Sequence, residues 1–176
     1  MGKMNRATRN AVTGFFLFLG IWGCGYSLEG RKTSLPQDIR TIAIPTMANK
    51  TLEAGIENVF TRAMIREFNL DGRLKVVRQK QADSILEGVI QDFSISSISY
   101  DTAGLALEYS VEVTMGLTLR RIDTGEVLWK APSMKETEEY RVVSNVLTNE
   151  ARKQEAIEEI ARELAETIHD LIVERF

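Results

Sequence analysis

Fifteen consecutive residues, Leu105 to Leu119, alternate between apolar and polar side chains. The odd positions carry Leu105, Leu107, Tyr109, Val111, Val113, Met115, Leu117 and Leu119. The even positions carry Ala106, Glu108, Ser110, Glu112, Thr114, Gly116 and Thr118. A two-residue period sorts these sets onto the two faces of a β-strand, which a helix cannot do. At about 3.3 Å per residue such a strand runs roughly 50 Å, well beyond the ordinary length. The sheet containing it has one face that must be covered and one that tolerates water.

The long strand constrains its neighbours. Asp123-Thr124-Gly125-Glu126 reads as a hairpin turn with Gly125 at the left-handed position. Val127 to Tyr140 then returns antiparallel, with Pro132 at an edge or a bulge. Upstream, Leu86, Ile90, Ile98 and Tyr100 fall on even positions, whereas Val89, Phe93 and Ile95 fall on odd ones. That strand is either apolar on both sides or bulged, so that its face changes midway. Asp38 to Ile44, stopped by Pro45, and Leu74 to Arg78 are two further short strands.

Two segments have helical spacing. Leu52, Ile56, Val59, Phe60 and Ala63 recur at three- and four-residue steps, with Asn49 or Thr51 as the expected cap and Gly72 as the stop. From about Leu147 to Arg175, Ala156, Ile157, Ile160, Ala161, Leu164, Ala165, Ile168, Leu171 and Ile172 make one stripe opposite charged residues. The expected fold is α+β: a two-layer sandwich of a mostly antiparallel sheet of about four strands, with two helices packed on one face.

The start of the chain differs in kind. Lys3, Arg6 and Arg9 precede an uncharged run from Ala11 to Trp22. That run is too short to cross a bilayer, which needs roughly 20 apolar residues, and matches a secretory signal peptide. Ile21-Trp22-Gly23-Cys24 resembles a bacterial lipobox and contains the chain's one cysteine. The expected organisation is a lipoprotein signal peptide over 1–23, a lipidated tether over 24–37 and a single α+β domain over 38–176. Cys24 would carry a diacylglyceryl group on its sulfur and an acyl group on its amine. Together they anchor stably where one chain binds only marginally.

Three of the 22 basic residues and none of the 25 acidic ones precede Cys24, so the mature chain carries a net charge of −6. That balance argues against a nucleic-acid partner, which requires a basic footprint. One histidine and one cysteine cannot assemble a zinc site or a nucleophile–base pair, so neither a metal nor catalysis is expected. His169 falls off the apolar stripe and is expected at the surface. Asp92 and Asp101 in the long upstream strand are the only other plausible catalytic acids, and they have no partner motif. Two basic groups stand out. Arg73, Lys75, Arg78 and Lys80 fit the protection of a sheet edge. Arg120, Arg121 and Lys130 flank the hairpin and form the candidate anion-binding group.

Further motifs follow one another along the mature chain. They are Gly23-Cys24-Gly25-Tyr26, Leu35-Pro36, Ile39 through Ala43-Ile44-Pro45, Asn49, Thr51 and Gly55-Ile56-Glu57. Ala82-Asp83, Leu86-Glu87-Gly88-Val89-Ile90, Phe93 and Gly125 with Val127-Leu128-Trp129 complete the series. In this order they resemble the LptE family of lipopolysaccharide-assembly lipoproteins. The resemblance implies a small sheet backed by two helices. It also implies a non-catalytic role as plug and assembly partner of the outer-membrane β-barrel LptD, delivering lipopolysaccharide to the outer leaflet. The expected location is the outer membrane, lipid-anchored on its periplasmic side, with Gly25 compatible with sorting there. Arg120, Arg121 and Lys130 would then grip the phosphates and sugars of lipopolysaccharide. The competing readings are a pilot or scaffold lipoprotein of another secretion channel and a lipid-anchored periplasmic enzyme.

Overall fold

The computed structural model describes residues 35–173 apart from residue 37. The segment 1–23, Cys24 and most of the 24–37 tether therefore lie outside the described residues. The elements are β1 (Thr41–Ala43), β2 (Ala48–Asn49), α1 (Ile56–Asp71), β3 (Lys75–Val76), β4 (Ser84–Tyr100), β5 (Ala106–Arg121), β6 (Val127–Arg141) and α2 (Val146–Val173). A single 3-10 turn, Gln79–Gln81, precedes β4.

The sheet has six strands rather than about four, and it is mixed. Its order is β3-β1-β4-β5-β6, with β2 also paired to β4. β1 pairs in parallel with both β3 and β4, and β2 in parallel with β4, whereas β4–β5 and β5–β6 are antiparallel. The difference from expectation is physical. β2 and β3 are two residues long, too short to print a period in the sequence, and α1 supplies the crossover that makes β1 and β3 parallel.

β5 behaves as its alternation dictates. Val111, Val113, Met115, Leu117 and Leu119 are buried, while Glu108, Ser110, Glu112, Thr114 and Thr118 point to the other face and retain contact with water. In β4 the register with β5 shifts between Ile90 and Asp92. Before the shift Leu86 and Ile90 oppose Leu119 and Met115; after it Phe93 and Ile95 oppose Val113 and Val111. One extra residue thus moves the apolar set from even to odd numbers while keeping it on one face, as a bulge does. Gly125 takes φ 72° and donates its N–H to Arg121 O at 3.0 Å, closing the β5–β6 turn. At the far end of the β4–β5 hairpin Asp101 Oδ1 accepts the N–H groups of Ala103 and Leu105, so this acid holds a turn.

Both helices cover the apolar face. Ile56, Phe60, Met64 and Phe68 of α1 and Ile157, Ile160, Leu164, Ile168 and Ile172 of α2 join the core residues of β4 and β5 in one buried cluster. We call this the helix face of the sheet and its opposite the open face. Burying each of these side chains contributes about 1.5–3 kcal/mol.

Two local expectations are corrected. α1 begins at Ile56 after Gly55, not at Leu52, which is fully exposed. Asn49 and Thr51 brace the preceding loop instead of capping the helix. Asn49 Oδ1 accepts Thr51 N–H at 2.8 Å, and Asn49 Nδ2 donates to Glu53 O at 2.8 Å. His169 is buried, not at the surface. The stripe of α2 widens at its last turns, where His169, Ile172 and Val173 are all buried. There the His169 ring meets Phe68 edge-on at 5.2 Å, and its Nε2 lies 3.2 Å from Asp71 Oδ2 without hydrogen-bond alignment.

Candidate functional site

The three cations flanking the hairpin do not form one cluster. Alternation along β5 sends Arg120 to the open face with Thr118 and sends Arg121 to the helix side with Leu119. Arg121 Nη1 lies 2.5 Å from Asp38 Oδ2, and its Nε lies 4.0 Å from Asp123 Oδ1 and 3.9 Å from Glu126 Oε2. The hydrogen bond from Arg121 holds the Asp38 carboxyl below the ordinary carboxylate value and raises the guanidinium in turn. Only 15% of the Arg121 side chain remains exposed, so its charge is spent on fixing the point where the chain enters the fold.

Arg120 and Lys130 remain together on the open face. Thr118 is opposite Lys130 on β6 and opposite Glu87 on β4, which sets Glu87, Thr118 and Lys130 in one row across three strands. Arg120 Nε is 3.4 Å from Glu87 Oε2, and both side chains are about half exposed. Lys130 has no ionic partner among the described residues.

Beside this row the open face is hollowed into a groove of about 570 Å³. Val89, Gly116 and Thr118 form its floor, Pro45, Thr46 and Ala48 one wall, and Lys130 to Pro132 the other. The hollow exists because Gly116 occupies an even position of β5 and brings no side chain. Gln91 lies across that gap and donates from Nε2 to Pro132 O at 3.0 Å. A Cβ on Gly116 would come within 2.5 Å of that nitrogen and 2.9 Å of Pro132 O. The sequence singled out Lys130 as a binding residue, whereas Glu87 stood only within the motif Leu86-Glu87-Gly88-Val89-Ile90 and Gln91 and Gly116 carried no site reading. The one legible sign was a glycine in a row of otherwise polar residues.

The other basic group lies at the opposite edge of the sheet. Lys75 sits on β3, an edge strand, and Arg73 pairs with Asp71 at 2.8 Å. Among the described residues no three of His, Cys, Asp and Glu are placed to hold a metal ion, and no helix is long and apolar enough to cross a membrane. The open face therefore offers a shallow, largely apolar trough with Lys130 at its rim and Arg120 on the same face, cations suited to an anionic group.

The sequence model of the LptE family, described as lipopolysaccharide-assembly, matches residues 39–172. No curated protein sequence matches the chain. Solved structures of the same fold include lipoprotein B of Nitrosomonas europaea, with TM-score 0.54 and 15% identity, covering 82% of this chain and 88% of that one. A minor lipoprotein of Acinetobacter baumannii gives TM-score 0.52 at 11% identity, covering 78% and 92%. A lipoprotein of Caulobacter crescentus gives 0.51 at 16%, covering 70% and 84%. At these identities the likeness establishes the fold alone.

Proposed function

The chain belongs to the LptE lipopolysaccharide-assembly family, and from that premise we propose that it is a non-catalytic, lipid-anchored outer-membrane lipoprotein that plugs and helps assemble the LptD β-barrel. The observation that carries the reading is the extent of the family match, from β1 to the last turns of α2. It spans the whole folded domain rather than a shared motif.

Two physical features support the reading. The open face presents Glu108, Ser110, Glu112, Thr114 and Thr118 over most of the length of β5, a polar strip that suits the polar interior of a membrane barrel. The open-face cations Arg120 and Lys130 supply charge-assisted contacts for lipopolysaccharide phosphates, with the groove beside them for sugar. Arg121, held by Asp38, supports that face from the other side of the sheet. Acylation of Cys24 would confine the domain to the membrane and raise its effective concentration beside the barrel.

Depletion of this chain in its own cell tests the proposal. Folded LptD and surface lipopolysaccharide should both decline, and a Cys24→Ala chain should fail to restore them. Unchanged LptD folding on depletion contradicts the reading.

A further inference from the structure

The sheet ends at β6, and among the described residues nothing pairs with its outer side. Alternate backbone N–H and C=O groups along β6 therefore face outward, a template for another strand. The first half of this edge is guarded. Pro132 brings no N–H, and the register with β5 slips between Ala131 and Met134. The second half lacks both devices, although two of its outward groups are engaged: Glu136 Oε1 accepts the Thr137 N–H at 3.2 Å, and Arg141 O accepts from Arg152 Nη1 at 2.5 Å. From Met134 to Arg141 each residue keeps unbroken register with Met115 to Glu108, with no proline and no bulge.

Side chains beside this open half are sorted by sign. On the open face Lys135 and Arg141 are matched by Glu112 and Glu108, at 2.6 and 3.1 Å. Glu136 and Glu138, two residues apart, lie on the helix face, where Glu138 stands near Glu159 and Glu163 of α2. Arg162, the cation between them, is shared by Glu159, Glu163 and Glu166. Burial, and then Glu163, Glu159, Glu139 and Glu136, push the Glu138 carboxyl above the ordinary range. No cation pairs with Glu136, Glu138 or Glu139 among the described residues.

We propose that the Met134–Arg141 edge receives an extended segment of a partner protein as a seventh strand, with Lys or Arg at alternate positions facing Glu136 and Glu138. The two-residue spacing of those glutamates matches the side-chain period of an incoming strand. A second copy of this chain is disfavoured, because antiparallel β6–β6 pairing sets the same carboxylates against each other. The inference is independent of lipopolysaccharide and of the groove, which lies on the opposite face.

The test uses the full-length chain in detergent and a short acetylated, amidated peptide, Thr-Lys-Val-Lys-Val-Lys-Thr. Binding should slow amide exchange within 134–141 at least tenfold. Glu136→Gln with Glu138→Gln should weaken it roughly three- to tenfold, as expected for two cross-strand charge pairs. A version N-methylated at alternate residues and a version with Glu for Lys should both fail to bind. Absence of protection in 134–141, equal binding by either control peptide, or unchanged affinity of the double variant would overturn the proposal.

Discussion

Arg120 and Arg121 are neighbours in the chain and serve opposite faces of the sheet. Arg120 lies 3.4 Å from Glu87 on the open face, and Arg121 lies 2.5 Å from Asp38 on the helix side. Substitutions at the two positions should therefore separate binding from folding.

Charge reversal of Arg120 and Lys130 together should weaken lipopolysaccharide binding by the purified full-length chain about tenfold or more, with little change in melting temperature. Arg121→Glu should do the reverse, lowering the melting temperature because it sets a carboxylate against Asp38, Asp123 and Glu126. Binding that is lost only with Arg121→Glu would move the site to the helix side.

Gly116→Ala should destabilise the fold by about 1–3 kcal/mol. The new methyl meets the Gln91 amide, which can swing away, and the Pro132 carbonyl, which is backbone and cannot. Urea denaturation of this variant and of Gly116→Ala with Gln91→Ala distinguishes the two. The double variant should recover only part of the loss, since Pro132 O remains 2.9 Å away.

His169→Ala should cost about 1–3 kcal/mol, from the cavity it leaves and the lost edge contact with Phe68. The neighbouring substitution Asp170→Ala, at an exposed position, should cost far less. Equal, small losses in denaturant would show that the packing of α1 against α2 does not depend on this ring.

The pH dependence follows from carboxyls shifted in opposite directions. Asp71 is held low by the hydrogen bond from Arg73, and Asp83 by Thr41 Oγ1 and the Arg40 N–H. Folded values below unfolded ones give stability that is full above about pH 4 and lost as pH falls through the lower, folded values. Glu138 is raised, so its ionisation opposes folding as pH climbs from the ordinary glutamate range through the raised value. Glu138→Gln should accordingly increase stability at pH 7 and change it little at pH 4. Because the side chain still reaches solvent, the gain should stay under about 1 kcal/mol. A loss of stability at pH 7 would show that this carboxylate is paired.

Much of this architecture was legible wherever the chain has a long period. β5, the Gly125 turn, Pro132 at an edge or bulge and the stripe of α2 were readable in the residues themselves. The spacing in β4 left a bulge and a strand apolar on both sides as alternatives, which the shift at Ile90/Asp92 decides. Parallel β1, β2 and β3 were not legible, because two or three residues carry no period and their pairing depends on how α1 returns the chain. His169 shows a related limit. A helical stripe places a residue on a face, but the neighbour's position decides how wide the buried face becomes. For the site, residue type pointed to Arg120, Arg121 and Lys130. The extent of β5 carries its alternation on to Arg121 and puts that residue on the other face, and only the Gln91–Pro132 contact explains why position 116 has no room for a side chain.

What this protein binds in its own membrane tests its role in lipopolysaccharide assembly most directly. Affinity purification of the tagged full-length chain from detergent-solubilised membranes should recover LptD in near-equal amount, and with it lipopolysaccharide. Recovery of a secretin or another channel, with LptD absent, would contradict it.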